Sequence, residues 1–150
     1  MQATIHDTWR DDPGAITLID AHHHFWDLGA NHYPWLTGPL SPHFFMGDYT
    51  PLKRNYLPAD LRRDAAGHNV LKTVHVEAEM DRARQVAETR WLTMMSDNHG
   101  LPNAIVAHAW FHTADAEEIL AQQKSFPLVR GIRSKPVTSS RPGESVAGAT

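Results

Sequence analysis

In the stretch "ITLIDAHHHFWD", residues 16–27, three consecutive histidines follow an apolar run and precede an aromatic pair. Imidazole titrates nearest neutrality and is the commonest metal ligand among side chains. If the run is a β-strand, alternate side chains share a face, so His22 and His24 converge while His23 turns away. Two neutral imidazoles at i and i+2 suit zinc and several other divalent metals. Asp20 shares their face one step deeper, where a carboxylate could orient a ligand histidine. Proteins with parallel strands place their sites at the carboxyl ends of those strands, and "LIDAHHH" puts the pair there. A bare His-x-His is a weak motif in a chain with 11 histidines. Its position directly after a strand strengthens it.

The elements that must position the pair follow from the pattern of the chain. Residues 1–15 read as a surface arm ending in a turn at Pro13-Gly14. "AITLID" is a short, β-branched, nearly unbroken apolar run, expected to be a strand buried on both faces. Residues 28–58 form a long loop, too rich in proline for a regular element. Its aromatics, Tyr33, Trp35, Phe44, Phe45, Tyr49 and Tyr56, favour an ordered, packed loop. A short helix is expected over Ala59–Ala66, stopped by Gly67.

"VLKTVHVEA" is a second strand, with Thr73, His75 and Glu77 opposite Val74 and Val76. Asp81 can cap a helix reaching about Asn98, with Ala83, Val86, Ala87, Trp91, Met94 and Met95 on its inner side and its charges in solvent. "NAIVAHAWF" is a third strand. Thr113 can cap a further helix buried through Ile119 and Leu120. "PLVRGIR" is a fourth strand, and residues 136–150 form an irregular tail. Strands alternating with helices imply βαβ units and a parallel sheet, an α/β fold.

Composition removes several function classes. The net charge of −3 gives no basic excess for nucleic acid. The absence of cysteine excludes disulfides, zinc ribbons and thiol chemistry. No apolar run reaches the length of a membrane span and the N-terminus lacks the apolar core of a signal peptide, so a soluble, cytoplasmic protein is expected. Neither a Gly-x-Gly-x-x-Gly after the first strand nor a Walker A sequence occurs.

The ordered set "LIDAHHHFWD", "YPWL", "YLPADL", "TVHVEAE" and "LVRGIR" resembles the amidohydrolase-2 family, on the branch that includes sugar lactonases acting on L-fuconolactone and L-rhamnonolactone. The resemblance covers about residues 16–135. It implies a (β/α)8 TIM barrel, of which one domain spanning 1–150 supplies the N-terminal half: about four parallel strands with intervening helices and a long first βα loop. It also implies that His22 and His24 are catalytic residues and ligands of a divalent metal, zinc first, with metal-free operation as the alternative. His23 stands where many relatives have Gln or Thr, and Ser134 stands where some have a histidine after Gly-Ile-Arg, leaving any such role absent or moved to Lys135. The remaining ligands and a general-base aspartate are implied to lie in a second half of the barrel.

The resemblance further implies hydrolysis of a sugar-acid lactone or similar small cyclic ester by activated water, with this chain alone inactive. Substrate-binding candidates are Glu77, Arg133, Tyr33, Trp35 and Trp110. Glu77 could hold sugar hydroxyls or a metal-bound water, or form a salt bridge. Arg133 could grip a carboxylate or carbonyl oxygen, or tie loops together. Tyr33 and Trp35 could form an aromatic lid or pack on the barrel rim, and Trp110 could wall the pocket or belong to the core. His75 reads as a core histidine. A decarboxylase of a small carboxylic acid is the second reading. A non-catalytic half-barrel that binds metal or assembles with a partner is the third. The expected partners are a small-molecule substrate and a second copy meeting the open barrel edges, with neither nucleic acid nor membrane.

Overall fold

A computed structural model describes residues 16–40, 44 and 47–134 of the chain. The expected N-terminal arm, Lys135 and the tail lie outside the described residues. Four strands, β1 (Ile16–His23), β2 (His68–Val76), β3 (Ala104–His108) and β4 (Val129–Arg133), form one sheet in the order β1-β2-β3-β4. All three pairings are parallel. Helix α1 (Pro34–Thr37) and α2 (Pro58–Asp64) lie between β1 and β2, α3 (Gln85–His99) between β2 and β3, and α4 (Ala116–Lys124) between β3 and β4. This is the alternation expected of half a TIM barrel.

Local chemistry explains the boundaries. Pro58 opens α2, and Asp60 Oδ2 accepts the amide hydrogen of Leu57 at 2.9 Å. Gly67 takes φ +89° before β2, a conformation that glycine adopts without strain. Asp81 caps as expected, accepting from the Ala83 amide at 3.0 Å, but the element it caps is a 3-10 turn, Arg82–Arg84, that leads into α3. Gly100, at φ +75°, ends α3 by donating to the Ser96 carbonyl. Thr113 does not cap α4. Its hydroxyl instead donates to the Trp110 carbonyl at 2.8 Å, and the cap position belongs to Asp115. The inner face of α4 is carried by buried Ala116 and Gln123, with Ile119 and Leu120 only half-buried.

Two other expectations fail for reasons of packing. Strand β1 is not buried on both faces: Ile16 is 68% exposed and Ile19 58%. It pairs with β2 alone, so its outer edge and much of its side-chain surface lack a neighbour among the described residues. The inner face of α3 is Gln85, Glu88, Thr89 and Leu92, while Met94 is 51% exposed. Of the polar members, Glu88 is held inward by a partner just beyond β2. Glu88 accepts the Ala78 amide hydrogen at 2.9 Å and is not part of a solvated face.

The core has two parts. Phe25, Leu61, Leu92, Leu101, Ile105 and Ala107 fill the layer between sheet and helices. Trp26, Tyr33, Leu36, Ala78 and Met80 form a second cluster that anchors the long first loop. That loop is ordered by short helical turns at Pro34–Thr37 and Thr50–Leu52, where proline occupies the first turns it tolerates. No helix among the described residues is long and apolar enough to cross a membrane.

Candidate active site

The histidine triplet sits at the end of β1, where its register against β2 shifts between Asp20 and His23. His22 and His24 come together, ring centroids 5.0 Å apart and at 76° to each other. His23 turns into the protein, 7% exposed, against Phe25 at 4.3 Å and His75 at 5.6 Å. The two-plus-one arrangement expected from strand alternation is present. Asp20 Oδ1 accepts from the backbone amide of His22 at 3.1 Å, so this contact shapes the chain rather than holding an imidazole.

His24 Nδ1 lies 2.7 Å from the Val76 carbonyl. A carbonyl can only accept, so Nδ1 carries the proton and Nε2 keeps a lone pair. Burial, with His75 nearby, lowers the His24 pKa to about 4, and burial lowers His23 to about 3. Both are neutral at pH 7. The donor set fits a divalent metal as a ligand pair: one imidazole is fixed in the tautomer that can ligate through Nε2, with its partner ring alongside. Among the described residues no group of three or more His, Cys, Asp or Glu side chains could hold a metal ion.

The ends of the next strands converge on a buried carboxyl. Glu77, which directly follows β2, is 1% exposed. Arg133, at the end of β4, donates from Nε to Glu77 Oε1 at 2.7 Å and from Nη2 to its backbone carbonyl at 2.6 Å. The Glu79 amide donates to Glu77 Oε2 at 2.9 Å, and His108 Nδ1 lies 3.7 Å from the same oxygen. The two residues expected to meet a substrate therefore meet each other. Arg133 keeps 28% of its side chain exposed.

The aromatic candidates divide. Tyr33 is fully buried, and burial beside Glu88 raises its pKa well above the usual phenol value. Trp110 is 3% exposed beneath the Arg82 guanidinium, 4.2 Å from its ring centroid. Trp35 is half-buried, donates to the Ala78 carbonyl at 2.9 Å and stacks on Phe44 at 5.8 Å. For Tyr33 and Trp110, packing is the role the structure displays.

Beside His24 is a cavity of about 220 Å³ lined by Trp26, Pro51, Leu52, Arg54 and Tyr56. Trp26 stacks on His24 at 6.3 Å, and the Arg54 guanidinium lies 5.6 Å from the centre of the Tyr56 ring. Sequence reasoning missed this wall, although Trp26 lies only two residues after His24. It also missed His108, the last residue of β3, for which the signal was a histidine at a strand's carboxyl end. Glu88 had no such signal, because its inward position on α3 is shared with only one apolar residue, Leu92.

No protein-family model matches the chain. The chain is 40% identical over 118 residues to an uncharacterized protein, y4mH, of Sinorhizobium fredii, covering 79% of this chain and 39% of that protein. It thus spans about two-fifths of the curated relative's length. An amidohydrolase from Burkholderia multivorans, crystallised with bound zinc, superposes with a TM-score of 0.53 at 25% identity, over 77% of this chain and 36% of that one. Amidohydrolase 2 from Bifidobacterium longum subsp. infantis gives a TM-score of 0.49 at 27% identity, over 63% of this chain and 33% of that one.

Proposed function

We propose that this chain is part of an amidohydrolase-type hydrolase that opens a sugar-acid lactone or similar small cyclic ester with activated water. The structural likeness to the Burkholderia multivorans amidohydrolase, crystallised with zinc, supports the superfamily and its hydrolase or decarboxylase chemistry. The observation that carries the reading further is the bond from His24 Nδ1 to the Val76 carbonyl, with the His22 ring 5.0 Å from that of His24. It prepares one imidazole to ligate through Nε2 and supplies a second beside it.

His22 and His24 would hold a divalent metal, zinc first. Bound there, such an ion lowers the pKa of water and polarises an ester carbonyl. The chain's own residues do the rest of what can be assigned. Trp26 and Tyr56 offer ring faces to the apolar side of a small cyclic substrate, and Arg54 lies at the edge of that wall. Arg133, held by Glu77, presents a guanidinium that suits a carbonyl or carboxylate oxygen. Trp35, edge-on to Trp26 at 5.8 Å, and Tyr33, in the same buried cluster, back this wall, while Trp110 packs beneath Arg82. The lactonase branch rests on the "YPWL" and "TVHVEAE" segments.

The test places this chain over the matching 118 residues of the Sinorhizobium fredii protein and assays a panel of sugar lactones by pH-stat with zinc present. Acid release that disappears in the His22→Ala, His24→Ala double variant is the expected result. Carbon dioxide release from small carboxylic acids, with no lactone opening, would replace the lactonase with the decarboxylase. Turnover of neither class by a folded, zinc-loaded protein would contradict the enzyme reading.

A further inference from the structure

We infer that His75, backed by Glu88, is a positioning residue that locks the backbone immediately after His24 and thereby sets the His24 tautomer. The inference rests on the proposed role of His24 as a ligand. His75 is fully buried near the end of β2, between the end of β1 and α3. Its Nδ1 accepts the amide hydrogen of Phe25 at 3.1 Å. An Nδ1 that accepts carries no proton, so the ring is neutral and its one proton is on Nε2. Nε2 lies 3.7 Å from Glu88 Oε1, beyond hydrogen-bond reach but close enough for its N–H dipole to favour the carboxyl group. The same Glu88 oxygen accepts the Ala78 amide hydrogen at 2.9 Å, which fixes the carboxyl just beyond the end of β2.

The geometry forms a closed clamp. His75 holds the amide of residue 25, and His24, one residue earlier, reaches back from β1 to the carbonyl of Val76, one residue after His75. Each bond fixes the strand ends at the spacing the other needs. An ordinary core residue at position 75 could fill the volume. It could not accept the Phe25 amide hydrogen, and that buried donor would then be orphaned or satisfied by a shift of the strand end. Such a shift moves the His24 ring, whose Nδ1–H has to meet Val76 for Nε2 to remain a ligand. The clamp explains why a buried histidine and a buried carboxyl occupy a layer otherwise filled by Phe25, Leu92 and Ile105.

Long-range proton–nitrogen NMR on the nitrogen-15-labelled 150-residue chain reads each imidazole tautomer directly. The wild-type chain should show His75 as the Nε2–H tautomer and His24 as Nδ1–H. His75→Asn, whose amide oxygen can stand in for Nδ1, should retain the His24 tautomer. His75→Gln, whose amide reaches only towards Nε2, should convert His24 to a mixture and weaken zinc binding by roughly tenfold or more. A wild-type His75 carrying its proton on Nδ1 would overturn the inference without recourse to any variant. So would a folded His75→Gln chain with His24 unchanged in tautomer and zinc affinity. Failure of wild-type chain to bind zinc, with the His24 tautomer still dependent on His75, would overturn the ligand reading and leave the clamp standing.

Discussion

Strands β1 and β3 belong to one parallel sheet and have similarly apolar sequences, "ITLIDAHH" and "AIVAH", yet their surroundings differ sharply. β3 pairs on both sides, and Ile105, Ala107 and His108 are almost wholly enclosed. β1 pairs on one side, and of its eight residues only His23 is buried. Burial is thus a property of a strand's neighbours as much as of its residues. The chain directly after β1 is well held: His24 meets the Val76 carbonyl, and Phe25 donates to the His75 ring, which in turn faces the Glu88 carboxyl of α3. The exposed stretch of β1 therefore leads into a fixed site.

The difference can be broken most strongly by acid. His23 and His75 are lowered to about 3 and His24 to about 4, all below the ordinary histidine value near 6.5. Between those limits the unfolded chain binds protons that the folded chain refuses, so stability is complete above about pH 7 and falls as pH is lowered. The expected loss is on the order of several kcal/mol by about pH 4, seen as a falling urea midpoint, with His75→Asn flattening the slope. A midpoint constant over this range would contradict the burial of these rings.

Next in size is the tie between β2 and β4. Arg133→Ala leaves the Glu77 carboxyl buried without its guanidinium, and a loss of about 3–5 kcal/mol in urea denaturation is expected. The strand comparison itself is sharpened by a matched pair of truncations. Ile105→Ala in β3 should cost about 2–5 kcal/mol, because the side chain is fully enclosed. Ile19→Ala in β1, where the side chain is 58% exposed, should change stability by no more than about 0.5 kcal/mol. Equal costs at the two sites would mean that β1 is covered in solution, as self-association through its open edge would do.

Much of this architecture was legible in the chain. The alternation of strands and helices follows from apolar runs and turn residues, and all four strands and their parallel order lie where those signals put them. The approach of His22 to His24 was legible because strand alternation is a local rule. What was not legible depends on tertiary partners. Met94 and Met95 made one face of α3 look buried, but the buried face carries Gln85, Glu88, Thr89 and Leu92 instead. Glu77 and Arg133 were each visible as strand-end charges, yet their pairing spans 56 residues and needed the sheet to be assembled. The exposure of Ile16 and Ile19 could not be read either, since an apolar strand gives no sign of which neighbours are present.

The central claim is that the end of β1 carries a prepared pair of metal ligands. Zinc titration of the 150-residue chain by calorimetry, beside the His22→Ala, His24→Ala double variant, tests it most directly. One zinc per wild-type chain, lost in the folded double variant while His23→Ala retains it, is the result this geometry predicts. Zinc uptake undiminished in the double variant, or none by the wild-type chain, would contradict it.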